Sequence, residues 1–411
     1  MKKIGLIGFG CVGEGLYRLL EAIEYSPARI EKIIVKDRRK HRNAPASLFS
    51  YQLDDVLNNP EIDIIVEAID DIDTAFQIAK ATLLAGKNFV SANKKMIAFH
   101  LEELTALASL NHVNLRYEAA VCGAIPVIQT IDCYFANEPI KELRGVFNGT
   151  SNFIISKIFN ENIDYKLALK QAQDLGFAES DPTADVGGFD PKYKLVILAL
   201  HAFGVFLDPS EVLNLGIDHL TREDYAFAKA QGKKIKLVPT VFEEAGKVVG
   251  YVLPQFVNSA DSLYGIEDEF NAVHVSTPFA GSQFYTGKGA GALPTAAAVL
   301  SDIEHVIEKK KYRDLRNKKK LHVGNDEEIL VEVYTRFYND ALRKVIQFES
   351  ISEGSFADDQ WQLTGFIPLS KLKDIAHLLK KERVSVIATG RRKIKIQVLK
   401  PSLEESGVKV A

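Results

Sequence analysis

Only three cysteines, Cys11, Cys122 and Cys133, occur among 411 residues. The number is odd and no CxxC spacing is present, which excludes a disulfide framework or a zinc knuckle and points to a reducing compartment. The nine histidines are scattered without an HExxH pair. Neither sign of charge dominates: 51 Lys and Arg stand against 54 Asp and Glu, a net charge of -3. That balance gives no overall footprint for nucleic acid or for an anionic membrane. No apolar run approaches the ~20 residues of a membrane span. Met1-Lys2-Lys3 before the run Ile4 to Phe9 imitates a secretory signal, but Glu14 and Arg18 interrupt it and no small-residue cleavage site follows. A cytoplasmic enzyme or binding protein of two or three domains is the expectation.

What is present begins at the N-terminus. A short apolar strand runs into Gly8-Phe9-Gly10-Cys11-Val12-Gly13, and Leu16, Leu19, Leu20 and Ile23 continue at helical spacing. In such a GxGxxG turn Gly8 permits the sharp bend, Gly10 lets backbone approach a pyrophosphate, and Gly13 allows close helix packing. A second strand at Ile33 to Lys36 ends on Asp37. Asp37 suits the ribose hydroxyls of NAD, whereas Lys36, Arg38, Arg39 and Lys40 suit the 2′-phosphate of NADP, which is slightly favoured. Strands at Ile62 to Val66, Phe89-Val90 and Leu115 to Tyr117 alternate with helices such as Thr74 to Ala85, predicting a Rossmann-type doubly wound parallel sheet over residues 1–135.

Residues 136–292 read as an α+β domain with a mostly antiparallel sheet: strands at Leu143 to Phe147, Lys236 to Phe242, Val248 to Leu253, Ala272 to Thr277 and Gln283 to Tyr285. The turn Asn148 to Phe153 opens a helix whose free N–H groups suit a carboxylate, or which Asn148 and Thr150 simply cap. Between these strands lies Gly176 to Lys194, with Glu179, Asp181, Asp185 and Asp190, the pair Gly187-Gly188, and two prolines. The stretch predicts a loop up to Asp190-Pro191, with Asp190 at the N-cap and Pro191 at the first position of a buried helix. Lys194 follows four residues after Asp190, so both side chains share a face. A cation is disfavoured so near a helix start, and either Lys194 reaches water or its charge is used. Gly287 to Thr295 is a second glycine turn, opening a helix over about 293–310 that returns to the first domain. Lys309 to Lys311 and Lys318 to Lys320 form a solvated connector. A small α+β unit over 325–411 has strands at Ile329 to Phe337, Lys344 to Ser350, Trp361 to Pro368, Val384 to Thr389 and Ile394 to Leu399, and a helix at Lys371 to Lys381.

Taken together, Gly8 to Gly13, Ala92-Asn93-Lys94, Tyr117-Glu118-Ala119, Ile125-Pro126, Asn148 to Phe153, Gly176 to Lys194 and Gly289-Ala290-Gly291 resemble the monofunctional homoserine dehydrogenase family from Met1 to about Ile307. The resemblance implies reversible NAD(P)-dependent interconversion of L-aspartate 4-semialdehyde and L-homoserine, with Lys194 and Asp190 catalytic. It implies Glu179, Asp185, Thr150, Gly149 and Lys94 around the substrate. On the cofactor side it implies Gly8, Phe9, Gly10, Cys11, Val12, Gly13, Lys94 and Gly291. It further implies a sodium ion near Glu118 with the carbonyls of Val121, Gly123 and Ile125, and a homodimer formed through the middle domain. Gly187 and Cys122 depart from residues common in the family. The tail from Glu328 lacks the Asp-x-Pro-Gly-like opening of the family's ACT regulatory domain, so threonine feedback is not expected. Two other readings stay open: another Rossmann oxidoreductase of small amino acids, such as aspartate dehydrogenase, and a dinucleotide sensor without turnover.

Overall fold

The computed structural model describes residues 1–313, 321–324 and 327–395. The first region alternates β1 (Lys2–Ile7), α1 (Cys11–Ala22), β2 (Ala28–Ile34), β3 (Phe49–Ser50), α2 (Asp54–Leu57), β4 (Ile64–Glu67), α3 (Ile72–Leu84), β5 (Asn88–Ser91), α4 (Lys94–Leu110), β6 (Leu115–Arg116) and α5 (Val127–Cys133). Its six strands are parallel in the order β3-β2-β1-β4-β5-β6, the doubly wound arrangement that the alternating pattern predicts. Strands buried on both faces must be apolar throughout, and Ile4, Leu6, Ile64, Ile65 and Val66 are. Asp71 caps α3 by accepting from Thr74 N, and Asn93 caps α4 by accepting from Met96 N. The chain order reverses between β1 and β4, which opens a crevice at their C-terminal ends.

The second region holds β7 (Glu142–Val146), α6 (Gly149–Glu161), α7 (Tyr165–Asp174), α8 (Thr183–Val186), α9 (Phe189–Phe203), β8 (Leu213–Asn214), α10 (Arg222–Ala230), β9 (Lys234–Glu244), β10 (Lys247–Val257), β11 (Phe270–Ser276), β12 (Ser282–Lys288) and α11 (Ala292–Ile307). Its strands run β12-β11-β7-β9-β10, and every neighbouring pair is antiparallel. Helix α9 lies over β9 and β10 with Leu195 to Ala199 almost fully buried. Helix α11 returns to α1, where the Ala292 carbonyl oxygen would sit 2.5 Å from a Cβ on Gly15. The loop expected from Gly176 onward contains one helical turn, α8, because Asp181 accepts from the Thr183 N–H and hydroxyl and fixes its start.

The last strands are β13 (His322–Val323), β14 (Ile329–Phe337), β15 (Ser350–Ala357), β16 (Gln360–Pro368) and β17 (Ser385–Ile394), with α12 (Leu342–Val345) and α13 (Leu369–Lys381). The order β17-β14-β16-β15 with helices after β14 and β16 is a ferredoxin-like βαββαβ unit whose first helix is a single turn. The strand expected at Lys344 to Ser350 is therefore corrected. Leu342 and Ile346 are both buried at helical spacing, and Arg343 lies 4.0 Å over the Trp361 ring. Of the two strands expected from Val384 onward, the first is β17, which continues through Gly390 to Ile394, and the second, Ile394 to Leu399, lies almost wholly outside the described residues, which end at Lys395. So does the lysine cluster Lys318 to Lys320. Strand β17 also joins β10, pairing Ala388 with Gln255, so the two sheets are continuous. Leu213, Phe242, Val249, Tyr251 and Leu253 share one core with Val331, Phe337, Leu369 and Val386.

Candidate active site

The glycine turn lies at the C-terminal end of β1. Gly8 has φ +94°, and a Cβ there would lie 2.3 Å from the Ala68 carbonyl oxygen at the end of β4. A Cβ on Gly13 would lie 2.3 Å from the Gly8 carbonyl oxygen, whereas one on Gly10 would meet nothing within 4 Å. Two glycines thus fold the turn and the third keeps space open before α1. No side chain caps α1, which leaves its first N–H groups for an anion. These residues fit a dinucleotide pyrophosphate. Phe9, Cys11 and Val12 fill the positions between the glycines. Gly291 precedes α11 on the side where that helix meets α1. At the β2 end, Asp37 is exposed and accepts from the Arg39 N–H at 2.8 Å, so its carboxylate is already engaged in its own turn.

Lys194 and Asp190 come together as their i, i+4 spacing requires, both almost fully buried. Lys194 Nζ donates to Asp190 Oδ2 at 2.7 Å and to the Phe147 carbonyl oxygen at 2.6 Å. Lys94, at the first position of α4, brings Nζ to 2.7 Å from Asp190 Oδ1. Asp190 is thus held between two ammonium groups, one from each of the first two regions. Its expected capping role is corrected: Gly188, at φ +79°, is the N-cap of α9, and the Asp190 carboxylate accepts from side chains instead. Asp-Pro suits an N-cap in isolation, but a left-handed residue two positions earlier starts the helix sooner.

Asn148 is the site residue whose full role sequence reasoning missed. Its Oδ1 accepts from Ser151 N and caps α6, as the turn predicts. Its Nδ2 donates to Asp185 Oδ1 at 2.7 Å and to Asp190 Oδ2 at 2.8 Å. One carboxamide therefore joins a helix start to two carboxylates far along the chain. Burial alone would raise the Asp190 carboxyl, but the charges of Lys194 and Lys94 and the Asn148 N–H hold it well below the usual carboxylate range. The Asp190 charge in turn raises the Lys94 ammonium, against burial that lowers it. Burial and then the Asp190 charge raise the Asp185 carboxyl, offset in part by Asn148.

This arrangement can present ammonium N–H groups to a developing oxyanion at the mouth of a dinucleotide crevice. Residues 8–118 match the family model for the homoserine dehydrogenase NAD binding domain, and residues 126–303 match that for homoserine dehydrogenase. The homoserine dehydrogenase of Bacillus subtilis is 35% identical over 314 residues, covering 74% of this chain and 72% of its own. The chain belongs to the homoserine dehydrogenase family. The Helicobacter pylori homoserine dehydrogenase is 36% identical over 348 residues, 82% of each chain. The Thiobacillus denitrificans homoserine dehydrogenase structure matches at a TM-score of 0.82 with 28% identity, covering 94% of this chain and 98% of that one. A hyperthermophilic archaeal homoserine dehydrogenase solved in complex with NADPH matches at 0.64 with 25% identity, covering 76% of this chain and all of that one. As a homoserine dehydrogenase the chain is an oxidoreductase interconverting L-homoserine and L-aspartate 4-semialdehyde with NAD(P)(H), on the route from aspartate to threonine and methionine.

The other residues that the family resemblance singles out are distributed unevenly around this centre. Asp185 stays within it through Asn148, and its Oδ2 accepts no hydrogen bond among the described residues. Gly149 follows Asn148 as the first residue of α6, and the Thr150 hydroxyl donates to the Phe177 carbonyl oxygen at 2.6 Å, tying α6 to the loop before α8. Glu179 is not part of the hydrogen-bonded set: it is exposed, and its carboxylate has no ion pair or hydrogen bond among the described residues. Glu118 lies buried after β6, and its two oxygens accept from Ile128 N and Gln129 N at 2.9 and 2.8 Å. The turn that follows takes Cys122 and Gly123 both to φ +54°. His201 is a satisfied core histidine: it bonds Tyr117 Oη and Asp132 Oδ1, each at 2.9 Å.

Proposed function

We propose that Lys194 is the proton donor of this dehydrogenase in the reducing direction, with Asp190 holding its ammonium in place. The observation that carries the proposal is the chain from half-exposed Lys94 through buried Asp190 to buried Lys194, anchored on Asn148. When bound, the dinucleotide supplies the hydride that reduces the aldehyde carbon. Lys194 spends one N–H on Phe147 and one on Asp190, which leaves a third for the carbonyl oxygen as it gains negative charge. The oxygen takes that proton, and the amine left behind is reprotonated from solvent. Lys94, at the junction of the two regions, supplies a second positive charge. Asp185 and Glu179 carry acceptors for the substrate ammonium, and Gly149 and Thr150 line the turn beside it.

NADP is the favoured cofactor. Asp37 is engaged by its own turn while Arg38, Arg39 and Lys40 stand exposed next to it, where a 2′-phosphate would be met. One spectrophotometric assay tests both readings: aspartate-semialdehyde-dependent oxidation is expected from NADPH with kcat/KM at least about tenfold above that for NADH. Arg39→Ala should narrow that ratio. Equal use of both cofactors would reject the preference, and cofactor binding without oxidation would reject the enzyme.

A sodium ion beside Glu118 is the third part of the reading. The donors this reading names, the Glu118 carboxylate and the carbonyls of Val121, Gly123 and Ile125, are hard oxygen ligands of the class that suits sodium. Burial and then the Asp302 charge raise the Glu118 carboxyl to about 8. The folded state therefore binds a proton there that the unfolded state releases, and stability falls as pH rises from the ordinary 4.5 toward 8. A cation would offset that loss. Sodium in place of tetramethylammonium should raise the melting temperature more at pH ~9 than at pH ~6, and Glu118→Gln should remove the difference. A sodium effect unchanged in that variant would place the ion elsewhere.

The enzyme is read as cytoplasmic: its three cysteines are free and no helix among the described residues is long and apolar enough to cross a membrane. A homodimer through the middle sheet is supported by β12, an edge strand with Phe284 partly exposed, and sedimentation at micromolar concentration distinguishes it from a monomer.

A further inference from the structure

Glu67 ends β4 in the middle of the parallel sheet and is fully buried, outside the chain of Lys94, Asp190 and Lys194. Residues alternate faces along a strand, so Glu67 lies on the same face as Ile65, and Ser91 of β5 on the same face as Phe89. A carboxylate in that place has lost its hydration and needs hydrogen bonds in return. Its Oε1 accepts from Ile69 N at 2.7 Å and its Oε2 from the Ser91 hydroxyl at 2.5 Å. Neither donor is charged, and the charge that acts on it, Asp70, has its own sign.

The two bonds reach the two loops at the C-terminal ends of β4 and β5. On the first loop, Gly8 packs so closely that a Cβ there would lie 2.8 Å from Ile69 Cγ2. On the second, Ser91 Oγ accepts from Asn93 N at 3.0 Å, and Asn93 Nδ2 donates back to the Ile69 carbonyl oxygen at 3.0 Å. The bonds from Glu67 through Ser91 and Asn93 to Ile69 thus close into a ring. Asn93 Oδ1 also accepts from Met96 N and starts α4, and the next residue is Lys94. That half-exposed side chain is the bridge to Asp190 Oδ1. A long lysine side chain has many rotamers, so a fixed backbone beneath it lowers the entropy lost when its ammonium meets one carboxylate.

We propose that Glu67 is a positioning residue of the reaction: through Ser91 and Asn93 it fixes the start of α4 and so the reach of Lys94 to Asp190. The role rests on Lys94 serving the reaction through Asp190. A carboxylate offers two oxygens that only accept, which matches two donors arriving from different loops. Glutamine has one such oxygen. With that oxygen kept on Ile69 N, its N–H groups face Ser91 Oγ, whose hydroxyl proton loses its acceptor. Burial raises the Glu67 carboxyl to about 7 against both hydrogen bonds, so stability falls as pH rises from the ordinary 4.5 through that value. A residue kept for stability alone would not carry that charge.

The test is a double-mutant cycle on the full chain at pH ~8.5, read as kcat, NADPH affinity and melting temperature. Glu67→Gln should lower kcat about tenfold, change NADPH affinity by no more than about twofold, and melt no lower than the parent, having lost a buried charge. Ser91→Ala leaves the carboxylate and its bond to Ile69 in place; it should lower kcat by a similar factor and carries the same test if the glutamine variant folds poorly. On a Lys94→Ala background, itself slow, neither change should lower kcat further. Turnover of Ser91→Ala within about twofold of the parent overturns the positioning role. So does a loss that persists in full on the Lys94→Ala background, which would mean that Glu67 acts through another residue. Parental turnover in Lys94→Ala alone would instead remove the role of Lys94, and the positioning role with it.

Discussion

Lys194→Ala is expected to lower kcat by about a thousandfold while changing dinucleotide affinity by no more than about twofold. The split follows from where the ammonium sits. Lys194 is buried on α9 with its partners Phe147 and Asp190 on the substrate side, whereas the glycine turn and the open end of α1 are built from other elements. Truncation removes the proposed proton donor and leaves the glycine turn before α1 intact. Steady-state rates with NADPH and aspartate semialdehyde give the first quantity, and a fluorescence titration of NADPH gives the second. Turnover within about tenfold of the parent would assign proton transfer to another group. Lys94 is then the candidate, since it reaches the other oxygen of the same carboxylate.

The second large effect is on stability as well as rate. Asp190→Asn keeps the shape of the side chain and removes the charge between two lysines, one of them buried. Breaking a buried pair by neutralising one partner costs about 3–5 kcal/mol, because the other charge is stranded. The variant should therefore melt well below the parent at neutral pH and turn over slowly, its Lys194 no longer held. The pH dependence has a definite sign. The Asp190 carboxyl is depressed in the folded state from an ordinary value of 3.8, so its contribution is fully present above that value and is lost as pH falls through the lower folded one. Parent and variant should differ by a constant amount from neutrality down to about pH 4 and converge only in stronger acid. A gap that closes between pH ~6 and ~8 would mean that a different group sets it.

The local parts of this site were legible in the sequence, and the long-range parts were not. Gly8, Gly10 and Gly13 announce their roles because a turn between a strand and a helix is decided within a dozen residues. Asp190 and Lys194 share a face because helical spacing says so. The identity of the N-cap was misread, since the left-handed turn at Gly188 depends on how α8 packs ahead of it. Asn148 could be read as a cap from its neighbours, but its reach to Asp185 and Asp190 spans 37 and 42 residues and leaves no periodic trace. Glu179, read with the acids around it, is exposed and outside the network that Asp185 and Asp190 enter. In the C-terminal unit, strand signals were visible while strand order was not. The strand expected to stop at Thr389 continues past Gly390, which takes φ +85° while residues on either side of it stay paired with β14.

The joining of β17 to β10 has a thermodynamic consequence. Phe242, Val249, Tyr251 and Leu253 on the back of the substrate sheet are covered by residues of the C-terminal unit, and Arg392 lies 3.9 Å over the Phe242 ring. Neither half of that core is complete without the other, so loosening the tail exposes the sheet beneath α9. The two regions should melt cooperatively, as a single folding unit. The tail then resembles a keystone: remote from the chemistry, it sets the temperature to which Asp190 and Lys194 keep their places.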